Sequence, residues 1–255
     1  MNHSPFRPVQ LDQPFLLATD LDGTLLADKA DLVWLKTFIR QYANEFYLAY
    51  VTGRYYESVL ELVDQGRLPR PNYICSNGGT ELFDCNDPQN TLGQRYSAQV
   101  APEWDIETIY ALGEGLGVRR QDFLDGQPRF SAGFFWDGDS KTLADFKDRL
   151  VGQDGYHILA SHGEFIDVIP AVLGKGNAVH FLQHELSLKP DRVVVAGDSG
   201  NDRLMFETDF NGILPANALE ELKVIACRPW HYYSPFYTAR GVLDGLCYFG
   251  FIKQA

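Results

Sequence analysis

The 255-residue chain predicts an α/β fold: a doubly wound, mostly parallel core sheet with an inserted α+β cap. Three observations predict it. Towards both ends of the chain, short apolar runs alternate with amphipathic stretches, as when helices cover both faces of a parallel sheet. Several of those runs stop abruptly in Gly, Asp or Thr, residues suited to the loops that bind ligands at strand ends. Between them, at about 84–168, the texture changes to half-alternating segments separated by helical ones. This places the core at 1–83 and 169–255 and the cap at 84–168.

The elements follow in order. Residues 1–13 are polar and Pro-bearing, and they read as a loose leader without the charged and apolar blocks of a signal peptide. Residues 15–18 form the first strand, 31–41 a helix, 46–51 the second strand, 56–65 a helix and 73–75 the third strand. The cap is expected to hold strand-like segments at 94–100, 129–137, 156–161 and 164–169, with helices at 105–116 and 140–150. The core resumes at Gly174-Lys175-Gly176-Asn177, which opens a helix with apolar Ala178, Phe181, Leu182 and Leu186. Strands follow at 193–196 and 212–214. The aromatic, Pro-broken stretch 230–237 is expected to pack at the core edge.

The chemistry-bearing residues stand at the strand ends. Asp20-Leu21-Asp22-Gly23-Thr24 places two carboxylates at i and i+2 where a strand gives way to a Gly turn. One carboxylate can attack phosphorus and form an acyl-phosphate while the other handles a proton. An EF-hand is excluded, because its Gly falls at loop position 6 and a Glu is needed at 12. Here the Gly is fourth and the twelfth residue is Asp31. Thr52-Gly53-Arg54 ends the second strand, with a hydroxyl and backbone N–H groups for a phosphate oxygen. Lys175 is a point charge able to pair with Asp20 and a transferring group. Asp198 and Asp202, in Gly197-Asp198-Ser199-Gly200-Asn201-Asp202, add two carboxylates. Four such acids cannot ionise together without a cation, and hard oxygen ligands beside phosphate specify Mg²⁺.

With these four segments in order, the chain resembles the haloacid dehalogenase (HAD) superfamily of phosphohydrolases. The resemblance implies a Rossmann-like core, Asp20 as nucleophile and Asp22 as general acid and then base. It implies Mg²⁺ held by Asp20, the Asp22 carbonyl and Asp198, with Asp202 and Asn201 in support. An insertion between the second and third motifs is similar to the C2-type cap, which closes over substrate. The cap aromatics Tyr96, Trp104, Phe130, Phe134, Phe135 and Trp136 offer a sugar-stacking face or, as the stronger expectation, a cap core.

A finer likeness covers residues 16–251. The stretches FYLAYVTGR (46–54), SNGGTEL (76–82), FIDVIPAVLGKGNA (165–178) and GDSGND (197–202) resemble the sucrose-phosphate phosphatase branch. That branch implies a phosphorylated disaccharide or glycoside, preferentially sucrose 6-phosphate. Mannosylfructose phosphate, glucosylglycerol phosphate and mannosyl-3-phosphoglycerate are the alternatives. Thr52, Gly53 and Lys175 would bind phosphate, with Arg54 and Asn201 beside it. Asp167 and Glu81 are sugar-contact candidates, Asp167 with a hinge or capping role as its alternative. Arg129 and His162 stand equally between sugar contact and plain surface. A monomer is expected, and a sugar-phosphate synthase is the candidate protein partner. A phosphomutase and a non-catalytic partner of a glycosyltransferase are the other classes; the intact motif set disfavours the second.

Composition narrows the field. The net charge of −12 argues against a nucleic-acid partner. No run of 18 apolar residues suggests a membrane span. The four cysteines form no Cys-x-x-Cys and no ligand spacing with His, which fits a reduced, cytoplasmic setting. The sequence 113–117 is not G-x-G-x-x-G, and Gly174-Lys175-Gly176 lacks Walker spacing. His180 and His184 share a helix face without a third ligand, so a solvated face is expected.

Overall fold

The computed structural model describes residues 6–9, 13–26, 29–42, 44–100, 104–121, 129–150, 155–161 and 163–254. The first part of the chain runs β1 (Phe6–Pro8), β2 (Phe15–Thr19), α1 (Lys29–Tyr42), β3 (Phe46–Val51), α2 (Tyr56–Asp64), β4 (Tyr73–Ser76), β5 (Glu81–Asp84) and α3 (Thr91–Ser97). The middle supplies α4 (Ile106–Gly115), β6 (Arg119–Arg120), β7 (Ala132–Phe135), α5 (Ser140–Leu150), β8 (Tyr156–Ser161) and β9 (Phe165–Pro170). The last part runs α6 (Lys175–Glu185), β10 (Val193–Ala196), α7 (Arg203–Phe206), β11 (Asn211–Leu214), α8 (Glu220–Lys223), β12 (His231–Tyr233), α9 (Thr238–Tyr248) and β13 (Ile252–Gln254).

The main sheet has seven strands in the order β12-β11-β10-β2-β3-β4-β5. All its pairings are parallel except β4 with β5. Every residue of β2 is buried, as a central strand covered on both faces requires. Its period-2 alternation divides the core. Phe15 and Leu17 join one cluster with Leu35 and Phe38 of α1 and Val242 and Leu246 of α9. Leu16 and Ala18 join another with Val179 and Leu182 of α6 and Phe206 of α7. The chain leaves β2 for β3 on one side and returns through β10 on the other. The carboxyl end of β2 is thus the topological switch point, where doubly wound sheets bind ligands. The Asp20 N–H donates to Ala196 O at 2.9 Å, which ties the end of β2 to that of β10.

A smaller antiparallel sheet, ordered β6-β7-β9-β8, carries α4 and α5. It has its own core of Ile109, Tyr110, Phe134, Phe146, Ile166 and Val168. Of the cap aromatics, Phe134 lies in this core and Trp104 and Trp136 pack against it. Tyr96 and Phe130 are buried with the main-sheet residues instead.

Three expectations need correction. Residues 94–100, read as a cap strand, lie partly in helix α3, which packs on β5. Gly93 explains the fit: a Cβ there would stand 1.9 Å from Leu82 O. The leader is not loose throughout, since β1 pairs with β13 in register Phe6↔Gln254 and Phe6 is buried. The 230–237 stretch does more than pack at the edge, because β12 is itself the edge strand, parallel to β11. Among the described residues, no helix is long and apolar enough to cross a membrane.

Candidate active site

Lys175, first residue of α6, organises the site. It is fully buried, and its Nζ donates to Asp20 Oδ1 at 2.7 Å, Asp202 Oδ1 at 2.6 Å and Asn201 Oδ1 at 2.9 Å. Those three bonds use its whole donor capacity. Burial disfavours its charge, but Asp20 and Asp202 outweigh burial and hold the ammonium pKa above its usual value. Asp20, at the end of β2, is 4% exposed. Burial raises its pKa well above the ordinary range; Lys175 opposes that rise, while Asp202 and Asp198 add to it.

Asp198 follows β10 and accepts from Thr24 Oγ1 at 2.9 Å. Burial, then the neighbouring Asp202, pushes its carboxyl up to about 7. Asp202 serves as a brace. Its second oxygen accepts the Asp198 and Ser199 N–H groups at 2.9 and 3.2 Å, holding the turn that presents Asp198. Gly23 completes the packing. Its φ of +81° is one L side chains rarely adopt, and a Cβ there would lie 2.2 Å from the Asp198 carboxylate.

Oxygens of Asp20, Asp198 and Asp202 lie within 4.8 Å of one another. Three crowded carboxylates and one ammonium leave a negative excess that one divalent ion would neutralise. The donor set is all hard oxygen, so it fits Mg²⁺. The Asp22 carboxylate stands outside this group. Both its oxygens accept from Arg54, Oδ2 from Nε at 2.6 Å and Oδ1 from Nη2 at 2.7 Å, a bidentate fork.

A cavity of about 330 Å³ opens over these groups. Asp20, Asp22, Thr52, Gly53, Arg54, Asn201 and Asp167 line it, so the structure brings these candidates together. Thr52 is buried, its N–H bonded to Cys75 O at 2.9 Å, and its Oγ1 accepts the Arg54 N–H. Asp167, on β9, faces the cavity, and burial pushes its pKa up to about 6 against the pull of Ser131 and Lys175. Glu81 is one step back, bonded by Asn77 Nδ2, its pKa raised chiefly by burial. Arg129 is exposed; it lies over the Phe130 ring and lines a separate hollow with Trp104 and Val100. His162 lies outside the described residues.

Sequence reading missed Gln121, Ser131, Ser161, Leu159, Phe165 and Asn77 on the cavity wall. One signal was available. Leu159 and Ser161 on β8, and Phe165, Asp167 and Ile169 on β9, share the period-2 face that turns to the cavity.

The fold and the clustered motifs define a hydrolase of the HAD class. The family model for sucrose-6F-phosphate phosphohydrolases matches residues 13–250, and the chain belongs to that family of sugar-phosphate phosphatases. It is 30% identical to a mannosylfructose-phosphate phosphatase from Agrobacterium fabrum, over 92% of this chain and 96% of that one. A glucosylglycerol-phosphate synthase from Pseudomonas anguilliseptica is 31% identical over 94% of this chain, which corresponds to 31% of that protein. The sucrose-phosphatase of Synechocystis, solved with sucrose and phosphate, superimposes with a TM-score of 0.86 at 28% identity, covering 94% of this chain and 99% of that one.

Proposed function

We propose that the protein is a Mg²⁺-dependent phosphatase that converts sucrose 6-phosphate to sucrose and phosphate through an aspartyl-phosphate. The observation that carries the chemistry is the buried Lys175 bonded at once to Asp20 and Asp202 beneath the cavity. Asp20 attacks phosphorus, and the bond from phosphorus to the sugar oxygen breaks. Asp22, once parted from Arg54 and protonated from solvent, gives that proton to the departing oxygen. Water then attacks the phosphorus of the aspartyl-phosphate, Asp22 takes a proton from it, and phosphate leaves with Asp20 restored. Positioned proton transfer of this kind contributes roughly 10²–10⁴ in rate. For Asp22 to act it must release at least one bond to Arg54, whose guanidinium is then free for the phosphate.

The Thr52 hydroxyl and the Gly53 N–H meet the charge on the transferring oxygens, and Lys175 acts through its charge from beneath Asp20. Asp20, Asp198 and the Asp22 carbonyl would hold Mg²⁺, supported by Asp202; bound there it supplies charge neutralisation for nucleophile and phosphate. The smaller sheet covers the sugar with the β8–β9 face, and Asp167 and Gln121 are polar groups for its hydroxyls.

The Synechocystis superposition supports sucrose as the sugar. A second reading, mannosylfructose phosphate, rests on the 30% identity over nearly the whole of the Agrobacterium enzyme. Both are phosphates of a fructose-containing disaccharide. Phosphate release from a sugar-phosphate panel, with Mg²⁺ and with chelator, separates the readings. Sucrose 6-phosphate is expected to lead by at least tenfold in kcat/KM, about 1.4 kcal/mol of transition-state preference. A flat panel overturns the sugar, mannosylfructose phosphate in the lead installs the second reading, and full activity in chelator overturns the metal.

A further inference from the structure

Between the phosphate loop and the lysine helix lies a three-residue turn, Asn77–Gly79, that the reaction does not yet use. It is held from both sides. The Asn77 N–H donates to Arg54 O and the Gly78 N–H to Thr52 O, each at 2.9 Å. On the other side Gly79 O accepts the Gly174 N–H, and a Cβ on Gly79 would stand 2.5 Å from the Lys175 nitrogen. The turn is therefore fixed relative to both phosphate-binding elements.

Asn77 is unusual within it. Its φ is +51°, a left-handed conformation uncommon for a residue with a side chain. The residue lines the cavity yet is only 8% exposed. Its Nδ2 donates to Glu81, and its Oδ1 has no partner. A carboxylate accepts, so Glu81 fixes which end of the amide it takes and leaves the oxygen over. Buried side-chain acceptors are nearly always paired, and this one belongs to a residue of the cavity wall, where a donor from a bound molecule can complete it.

We infer that the Asn77 amide oxygen accepts a hydrogen bond from a hydroxyl of the leaving sugar, which makes Asn77 a specificity-determining residue. The inference rests on the sugar-phosphate phosphatase reading of the same cavity. Glu81 then acts as a positioning residue, turning the amide and touching no substrate itself. A site built to satisfy a substrate hydroxyl rejects analogues without it, because its own buried group is left unpaired.

Asn77→Gly removes the amide and keeps the backbone free to hold a positive φ. The readout is a selectivity ratio, kcat/KM for the preferred sugar phosphate divided by that for phenyl phosphate, which has no hydroxyl to offer. In Asn77→Gly the ratio is expected to fall at least tenfold. An independent measurement on the unmodified enzyme uses monodeoxy analogues of the preferred sugar phosphate. One position is expected to lose at least fivefold, and that loss vanishes in Asn77→Gly. A ratio that survives the substitution, or a flat deoxy series, overturns the inference while leaving the phosphatase reading intact. An unmodified enzyme that does not prefer sugar phosphates over phenyl phosphate overturns both.

Discussion

Lys175 is surrounded by more negative charge than it can neutralise, and two opposite stability effects follow. Replacing it with Met leaves Asp20 and Asp202 buried without their cation. Breaking a buried pair from one side costs about 3–5 kcal/mol, which urea denaturation in chelator is expected to show for Lys175→Met. Asp20→Asn acts the other way. The environment of Asp20 already disfavours its charge, so the neutral amide is expected to raise the metal-free Tm while abolishing turnover. Asp22→Ala is expected to lower kcat by about 10²–10⁴ and to let a phosphoenzyme accumulate, read by intact-protein mass spectrometry. At this scale the candidate set was legible because Asp20, Asp22, Thr52, Asp198 and Asp202 sit in short motifs after strands and Lys175 in one that opens a helix. The cavity wall was not: Gln121, Ser131 and Ser161 become neighbours only through the pairing of distant strands.

Elements were legible where local pattern and long-range packing agree. Strands β2, β3 and β10 are continuous apolar runs because both their faces are covered, and they stood out in the sequence. Helix α3 was misread because Gly93 weakens its helical signature, and that glycine answers to close packing on β5. Leu92 and Tyr96, four apart, are its actual inward pair. Strand β1 was unreadable because the strand it pairs with, β13, lies more than 240 residues further along the chain. The Asn77–Gly79 turn gives the test at this scale. Gly79→Ala meets both a φ of +79° and the backbone of Lys175. It is expected to cost at least about 1–3 kcal/mol and to lower kcat by displacing Lys175, checked by urea denaturation and steady-state kinetics.

Across the whole molecule, the acidic cluster makes stability depend on pH and metal together. Burial pushes the Asp198 carboxyl up to about 7 and that of Asp167 up to about 6, and it holds Asp20 well above the ordinary carboxyl range. Between the unfolded carboxyl range and these values the native state holds more protons than the unfolded chain. Metal-free stability is therefore present at low pH and lost as pH rises through the native pKa values. The Tm in chelator is expected to fall from about pH 5 to about pH 8, and Asp198→Asn to flatten that fall. Added Mg²⁺ is expected to reverse the trend, by about 2.7 kcal/mol at a hundredfold excess over its Kd, with the larger gain at higher pH.

The lacing of β1 to β13 has an architectural consequence. Phe15, at the entrance of β2, lies against Phe251 with ring centroids 4.7 Å apart and the rings tilted, so the β1–β13 pair sits at the floor of the sheet. The catalytic mouth opens at the roof, where the same strands finish. A second globular unit grafted onto either extremity thus hangs beneath the enzyme and leaves the mouth unshaded. In the Pseudomonas glucosylglycerol-phosphate synthase the region that matches this chain is 31% of the protein's length.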